Sequence, residues 1–148
     1  MSDAPIARWP SLEGVVIATD SWTKPFWDAA AEHRLVVQRC ASCGRYRMPP
    51  SPFCPHCLSQ EVEYPELSGR GVVYSFTVVA TAVSARQADH VPYVPALVEP
   101  VETPGVRLVT NIVDAPLDAI RLGDEVEVVW QDREDGLSVP RFRLVGAR

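Results

Sequence analysis

All four cysteines of this 148-residue chain fall within one short stretch, as two Cys-x-x-Cys pairs. Cys40 and Cys43 form the first pair, and Cys54 and Cys57 form the second pair ten residues later. A Cys-x-x-Cys turn brings two thiolates to a common point, and two facing turns supply the four ligands of a closed tetrahedral metal site. Gly44, directly after the first pair, suits the chain reversal that such a turn requires.

The paired spacing favours a metal site over three alternatives. Two disulfides would also use four cysteines, but nothing else in the chain is typical of a secreted protein. A redox Cys-x-x-Cys would leave one pair without a role, and free buried cysteines need no paired spacing. Four thiolates suit both zinc and iron, and sulfur ligands alone do not distinguish these two metals. Because four protein ligands leave no open coordination position, we predict a structural ion, Zn²⁺ or iron in its place, with His56 on an exposed loop and not a ligand.

Composition and charge narrow the class of protein. The apolar fraction of 47% and the charged fraction of 22% are typical of a folded globular chain. Fourteen prolines favour short strands and turns over long helices. No apolar run approaches the roughly 18 residues of a membrane helix, and no secretory signal is recognisable, so we expect a cytoplasmic protein without a membrane partner. A net charge of −5 disfavours a broad contact with a phosphate backbone.

The residue pattern changes along the chain and indicates a mainly β protein. A proline-interrupted leader precedes an alanine-rich helix, and the cysteine stretch follows between two short strands. From residue 72 onward, five segments rich in β-branched and aromatic residues are separated by turn signals. Five such strands with one long connection suit a small closed barrel of the OB type. The predicted parts are an extended leader (1–21), a helical segment (22–36), a rubredoxin-like zinc ribbon (37–65) and a five-stranded OB-fold barrel (66–148).

The helix is predicted to run from Thr23, as its N-cap, to Arg34. Its aromatic end either fills the core beside the ribbon or lines a groove for a ligand or another subunit. The predicted inward face consists of Trp27, Ala30, Ala31 and Arg34, with Phe26 beside it.

A succession of short motifs runs from about residue 22 to residue 145. These are Phe26-Trp27, residues 35–39, Cys40-x-x-Cys43-Gly44, Pro49-Pro50, Cys54-Pro-x-Cys57, residues 68–71, residues 74–77, Pro92-Tyr93 and residues 140–142. The ordered set resembles the zinc-ribbon OB-fold proteins associated with thiolases and other acyl-CoA enzymes. The resemblance implies a zinc-binding, non-catalytic subunit in a hetero-oligomer with a thiolase-like or lipid-transfer-type protein. The partner would be an acyl-CoA thiolase, an acyltransferase or a sterol-carrier-type aldolase of steroid side-chain breakdown, and the subunit would complete its acyl-CoA channel.

Within this resemblance, two groups of residues are candidates for contact with acyl-CoA. Guanidinium groups form charge-assisted hydrogen bonds to phosphate oxygens, and the only basic cluster of the chain surrounds the ribbon. A solvated basic face, or ion pairs to the partner, would explain the same cluster. Aromatic residues of the helix are candidates for a surface that faces the partner or pantetheine. The arginines are Arg34, Arg39, Arg45 and Arg47, and the aromatic residues are Phe26 and Trp27.

A stand-alone enzyme is the weaker interpretation. His33, His56 and His90 are scattered along the chain, and none stands beside a nucleophile in a recognisable setting. We therefore assign no catalytic residue and expect the chain to act as a subunit that a thiolase or aldolase complex requires.

A module for single-stranded nucleic acid is the alternative from another class. Zinc ribbons and OB barrels often bind nucleic acids, and Tyr74, Phe76 and Trp130 could stack on bases. Against this, the barrel is acidic and Lys24 is the only lysine in the chain. Aromatic residues at regular strand spacing are also more often part of a core.

Overall fold

The computed structural model describes residues 3–146 and confirms the predicted fold class. Three short strands form the ribbon sheet in the order β2-β1-β3, and five strands close a barrel in the order β4-β5-β6-β8-β7. Within this range, no helix has both the length and the apolar character needed to cross a bilayer. The elements are α1 (Lys24–Ala31), β1 (Gln38–Cys40), β2 (Tyr46–Arg47), β3 (Val62–Glu63), β4 (Arg70–Phe76), β5 (Val94–Pro100), β6 (Leu108–Ile112), β7 (Glu125–Asp132) and β8 (Ser138–Leu144).

Thr23 occupies the N-cap position of α1, as predicted, and the turn before it is closed by Asp20. Asp20 Oδ1 accepts hydrogen bonds from the backbone N–H groups of Trp22 and Thr23, both at 2.8 Å. The backbone N–H of Asp20 in turn donates to Thr23 Oγ1 at 3.0 Å. The Thr23 side chain is used in this turn, so it forms no hydrogen bond to a helical N–H from its N-cap position.

The helix also ends earlier than predicted. His33 has a φ of 58°, a left-handed conformation that stops the helix, so Arg34 lies outside it. The predicted inward face was wrong for Ala31 and Arg34, which are exposed. The buried face of α1 begins one residue earlier than predicted, at Phe26 instead of Trp27. The buried residues of α1 are Phe26, Ala29 and Ala30.

One hydrophobic core joins the helix, the base of the ribbon and the barrel. Phe26 of α1 and Val36 before β1 belong to the same buried cluster as Val73 of β4 and Phe142 of β8. The ribbon sheet itself is small, since β1 pairs with only two residues of each neighbour. The ribbon is attached to the barrel through residues that flank its strands, chiefly residues 35–37 before β1 and Tyr64 after β3.

The strands β6 and β8 share fewer backbone residue pairs than the other neighbouring strands of the barrel. Within residues 3–146, these two strands share a single parallel residue pair. A backbone hydrogen bond from Val113 N–H to the Phe142 carbonyl at 2.9 Å continues the join. Side chains add to it: Thr110 Oγ1 donates to the carbonyl of Pro140 at 2.8 Å, and Arg141 Nη1 donates to Asn111 Oδ1 at 2.9 Å. This join between β6 and β8 is termed the seam.

Residues 5–10 of the predicted leader lie on the surface of the barrel. Backbone hydrogen bonds link residues 5–8 to residue 92 and residues 114–117. Trp9 Nε1 donates to Asp114 Oδ1 at 2.9 Å, and Gln131 Nε2 donates to the carbonyl of Pro10 at 2.7 Å. Trp9 thus docks on its own chain.

Candidate metal centre and adjoining groove

The four cysteine sulfurs lie within 4.8 Å of one another, which is an arrangement suited to a metal ion. Cys40 Sγ lies 3.6 Å from Cys57 Sγ, and Cys43 Sγ lies 3.6 Å from Cys54 Sγ. A disulfide would need about 2.05 Å, whereas a tetrahedral ion with metal–sulfur bonds of about 2.3 Å holds its sulfurs about 3.8 Å apart. The donor set therefore fits one four-coordinate ion.

The two cysteine turns repeat one hydrogen-bond pattern. In each turn, the backbone N–H of the first cysteine, Cys40 or Cys54, donates to a carbonyl five residues later. The residue four positions after that cysteine, Gly44 or Leu58, donates back to the cysteine carbonyl at 2.8 Å. Gly44 and Leu58 both have left-handed backbones, with φ of 78° and 65°. The two turns are thus equivalent halves of one site.

Backbone N–H groups favour the thiolate form of the first cysteine in each turn. The pKa of Cys40 is lowered to about 6, chiefly by the N–H of Cys43, whose nitrogen lies 3.5 Å from the sulfur. The pKa of Cys54 is lowered as well, chiefly by the N–H of Cys57. Because the thiolate is the form that binds metal, the first cysteine of each turn is prepared for an ion, whereas the pKa of Cys57 is raised to about 11.

Two of the four ribbon arginines are held by glutamates. Arg34 contacts Glu32 at 3.3 Å and Glu66 at 3.5 Å. Arg39 contacts Glu63 at 2.9 Å. All of these side chains are well exposed, so the ion pairs contribute little stability and water can replace them.

The other two arginines differ in exposure. Arg47 is buried, and it donates from Nε to Ser51 Oγ and from Nη2 to the Ser51 carbonyl, both at 2.9 Å. Arg45 is exposed, and within residues 3–146 its side chain forms no hydrogen bond or ion pair. Arg45 is therefore the ribbon guanidinium best placed to receive an anion, and CoA binding by this group of four stays a prediction.

The two aromatic candidates of α1 lie on a groove where the helix, the ribbon and the barrel meet. Phe26 and Trp27 form an edge-to-face pair with ring centroids 5.0 Å apart. They line a cavity of about 350 Å³ together with residues 48–50 of the ribbon, residues 107–109 at the start of β6, and Val139 and Pro140 of β8. This cavity, termed the seam groove, is within the size range of small-molecule sites.

Sequence reasoning missed Arg107, the one charged residue that lines the seam groove. Its guanidinium carbon lies 3.6 Å from the centroid of the Tyr74 ring, and its Nε lies 3.4 Å from Glu99 Oε1. Arg107 lies outside the ribbon cluster, so no basic run in the sequence points to it. Tyr74 was expected in the core but is 51% exposed, because Gly71 and Val73 are the buried residues of β4 and Tyr74 alternates with them.

Two of the three aromatic residues considered for base stacking have ring contacts within the chain. The Tyr74 ring carries Arg107, and the Trp130 ring stacks on His33 with centroids 5.4 Å apart. His33 Nε2 also lies 2.7 Å from Asp132 Oδ1, which ties the end of α1 to β7. Free aromatic faces for bases are therefore scarce on these two strands.

Two family models match successive parts of the chain. One describes the rubredoxin-like zinc ribbon domain of ChsH2 and matches residues 27–63, and the other describes the C-terminal OB-fold domain of ChsH2 and matches residues 64–131. The chain belongs to the ChsH2 family. A DUF35 domain-containing scaffold protein of Methanothermobacter thermautotrophicus is 37% identical over 106 residues, which are 70% of this chain and 77% of that relative.

Longer relatives contain a region similar to this ChsH2-family chain. A probable enoyl-CoA hydratase alpha subunit of Thermomonospora curvata is 44% identical over 119 residues, which are 80% of this chain. A 3-oxo-4,17-pregnadiene-20-carboxyl-CoA hydratase alpha subunit of Mycobacterium tuberculosis is 38% identical over 111 residues, 74% of this chain. The chain spans only about a third of each of these relatives, 36% and 34% of their lengths.

Two solved structures share the fold. A chain of a structure described as an Ltp2–ChsH2(DUF35) aldolase superposes with a TM-score of 0.78 at 40% identity, over 87% of this chain and 98% of that chain. A DUF35-family protein of unknown function from Sulfolobus solfataricus superposes with a TM-score of 0.58 at 17% identity, over 82% of this chain and 84% of that chain. The second likeness concerns the fold alone.

Proposed function

We propose that this chain is a non-catalytic accessory subunit of a thiolase-like acyl-CoA enzyme, either a thiolase, an acyltransferase or a side-chain-cleaving aldolase of steroid degradation. The observation that carries the proposal is the likeness to the Ltp2–ChsH2(DUF35) aldolase, in which 98% of the matched chain is covered at 40% identity. The names of the relatives as scaffold protein and hydratase alpha subunit support a role in a hetero-oligomer. The reducing cytoplasm is the proposed location, since all four cysteines are free.

Zinc is the proposed cofactor, and its role is structural. Cys40, Cys43, Cys54 and Cys57 would hold it with no coordination position left for water or substrate. The ion would fix the two turns of the ribbon, and the ribbon in turn supplies residues 48–50 to the seam groove.

The seam groove is the proposed wall of the acyl-CoA channel. Its lining is apolar apart from Thr23 and Arg107, as an acyl chain or pantetheine requires. Phe26 and Trp27 would face this chain or the partner. Arg45, with Arg34, Arg39 and Arg47 around the ribbon, would meet the phosphates of CoA.

Co-expression with thiolase-like proteins encoded beside the gene tests the proposal. We expect a stable complex in size-exclusion chromatography with light scattering, with acyl-CoA turnover that requires both subunits. Val109 is 84% exposed at the edge of the seam groove, so Val109→Asp should weaken the complex at least about tenfold. Leu122→Asp, at a leucine that is 67% exposed and lies outside the groove, is the matched control and should leave the complex intact.

Two outcomes would contradict the accessory role. One is acyl-CoA turnover by the purified chain alone. The other is tight binding of single-stranded nucleic acid at physiological salt, with no complex formed by any thiolase-like candidate.

A further inference from the structure

The seam groove combines an apolar lining with a single guanidinium. Arg107 is the one charged residue among those that line it, and Thr23 is the one other polar residue. The apolar contributions come from α1, the ribbon and both strands of the seam. A cavity of this kind favours a ligand with an apolar body and one anionic group, because an uncharged ligand would leave the guanidinium unused.

The guanidinium of Arg107 is held in place while its hydrogen-bonding capacity remains unfilled. The Tyr74 ring packs against its face at 3.6 Å, which fixes the plane of the group. Glu99 lies 3.4 Å from Nε, but Nε is buried without a hydrogen bond, and Glu99 Oε1 accepts the backbone N–H of Gly105 at 2.9 Å instead. Within residues 3–146, no hydrogen bond from the terminal nitrogens of Arg107 is present.

We propose that the seam groove of the isolated chain binds a small amphipathic anion, and that Arg107 receives its carboxylate or phosphate. The apolar part would lie against Trp27 and Val109, which line the same cavity. A second cavity of about 220 Å³ on the barrel surface also includes Val109, so a longer chain would continue in that direction. The inference deepens the proposed function, because it concerns the groove that is proposed as the wall of the acyl-CoA channel, but it requires no partner subunit.

Octanoate, octyl phosphate and octanol are suitable probes, since they share one apolar chain and differ in the head group. Calorimetric titration of the intact chain should show tighter binding of the two anions than of octanol. The Arg107→Gln variant should lose about 10- to 100-fold in affinity for the anions, as expected for a hydrogen bond to a charged group. Its affinity for octanol should be unchanged. The ratio of octyl phosphate to octanoate affinity then identifies which head group the site prefers.

Arg143→Gln is the matched control variant. Arg143 is an exposed arginine of β8 that contacts Glu127 at 2.9 Å and lies outside the seam groove, so its replacement changes net charge equally. It should bind all three probes as the unchanged chain does. Near-ultraviolet circular dichroism verifies that both variants are folded.

Three results would overturn the inference. The first is equal anion binding by the unchanged chain and by Arg107→Gln, which would reduce Arg107 to a structural support for Tyr74. The second is equal affinity for octanol and the anions. The third is the absence of binding by any probe at millimolar concentration, which would indicate a groove that only a protein segment fills. These titrations use the chain alone, so their results can be interpreted even if no partner subunit is found.

Discussion

Leu58 occupies a backbone conformation that suits glycine. It is equivalent to Gly44 in the other cysteine turn, and its φ of 65° places its Cβ close to the following carbonyl. The side chain is 73% exposed, so packing does not offset this strain. The second turn is therefore the more strained half of the metal site.

Replacing Leu58 with glycine should stabilise the protein. Relief of the left-handed conformation raises the free energy of unfolding by about 1–2 kcal/mol. The greater freedom of glycine in the unfolded chain lowers it by about 0.5–1 kcal/mol. A net gain of roughly 0.5–1 kcal/mol in the free energy of unfolding is expected from chemical denaturation of the metal-loaded protein.

The same substitution at Leu122 is the control for that experiment. Leu122 is 67% exposed but lacks the left-handed backbone, so Leu122→Gly should destabilise the protein. If both glycine variants lose stability to the same extent, the strain at Leu58 is not present.

At the scale of single residues, the sequence predicted the local sites and missed the distant contacts. The four cysteines were predictable as a cluster, because the spacing within and between the pairs is itself the geometry of the site. The glutamate partners of the ribbon arginines were not predictable, because Arg39 and Glu63 meet only when β1 pairs with β3. Arg107 gave no signal, since its position over Tyr74 depends on the pairing of β5 with both β4 and β6.

Among the elements, α1 depends on a carboxylate that precedes it by one turn. Asp20 accepts the N–H groups of Trp22 and Thr23, and these bonds lower its pKa, the bond from Thr23 contributing most. A carboxyl group whose pKa is lower in the folded state stabilises the fold above its unfolded pKa. This stabilisation is lost as the pH falls through the folded pKa.

Asp20→Ala should therefore lower the thermal midpoint at about pH 7, and the difference from the unchanged protein should shrink as the pH falls toward about 3. Asp20→Asn keeps a capping oxygen without a titrating group, so its difference from Asp20→Ala should not shrink in this way. Thermal unfolding of the three proteins across this pH range measures the effect. If the difference in thermal midpoint between Asp20→Ala and the unchanged protein grows on acidification, the Asp20 carboxylate does not stabilise the turn before α1.

The positions of the strands were easier to predict than the ends of the helix. The barrel strands were predicted from β-branched and aromatic segments that start at residues 72, 93, 106, 125 and 139, and the structure places all five strands within two residues of these starts. The helix was predicted to reach Arg34 because its alanines favour helix, but His33 turns into a left-handed conformation and pairs with Asp132. Asp132 lies 99 residues away in the sequence, so the helix propensity of this segment carries no information about the contact.

At the scale of the whole molecule, the metal is expected to control the ribbon and the groove but not the barrel. Cys40→Ser should release the metal, since it removes one of four sulfurs from a closed site. Hydrogen exchange should then show lost protection in β1, β2 and β3 and retained protection in β4 to β8. Because residues 48–50 line the seam groove, binding of octanoate should weaken in the same variant.

Ser42→Ala is the control in the same cysteine turn. Ser42 Oγ contacts Ser59 Oγ at 2.7 Å but is not a ligand, so this variant should keep its full metal content by elemental analysis. The same analysis distinguishes zinc from iron. A Cys40→Ser protein with undiminished metal would refute the ligand assignment.

The join between β6 and β8 makes the closure of this barrel depend on side chains. In the described part of the chain, the other neighbouring strands of the barrel share three or more residue pairs, whereas these two share one, between Ile112 and Phe142. Thr110 and Arg141 are buried near that pair, and each donates one hydrogen bond across the join. A substitution at either position would therefore act on the completeness of the barrel wall and not only on local packing.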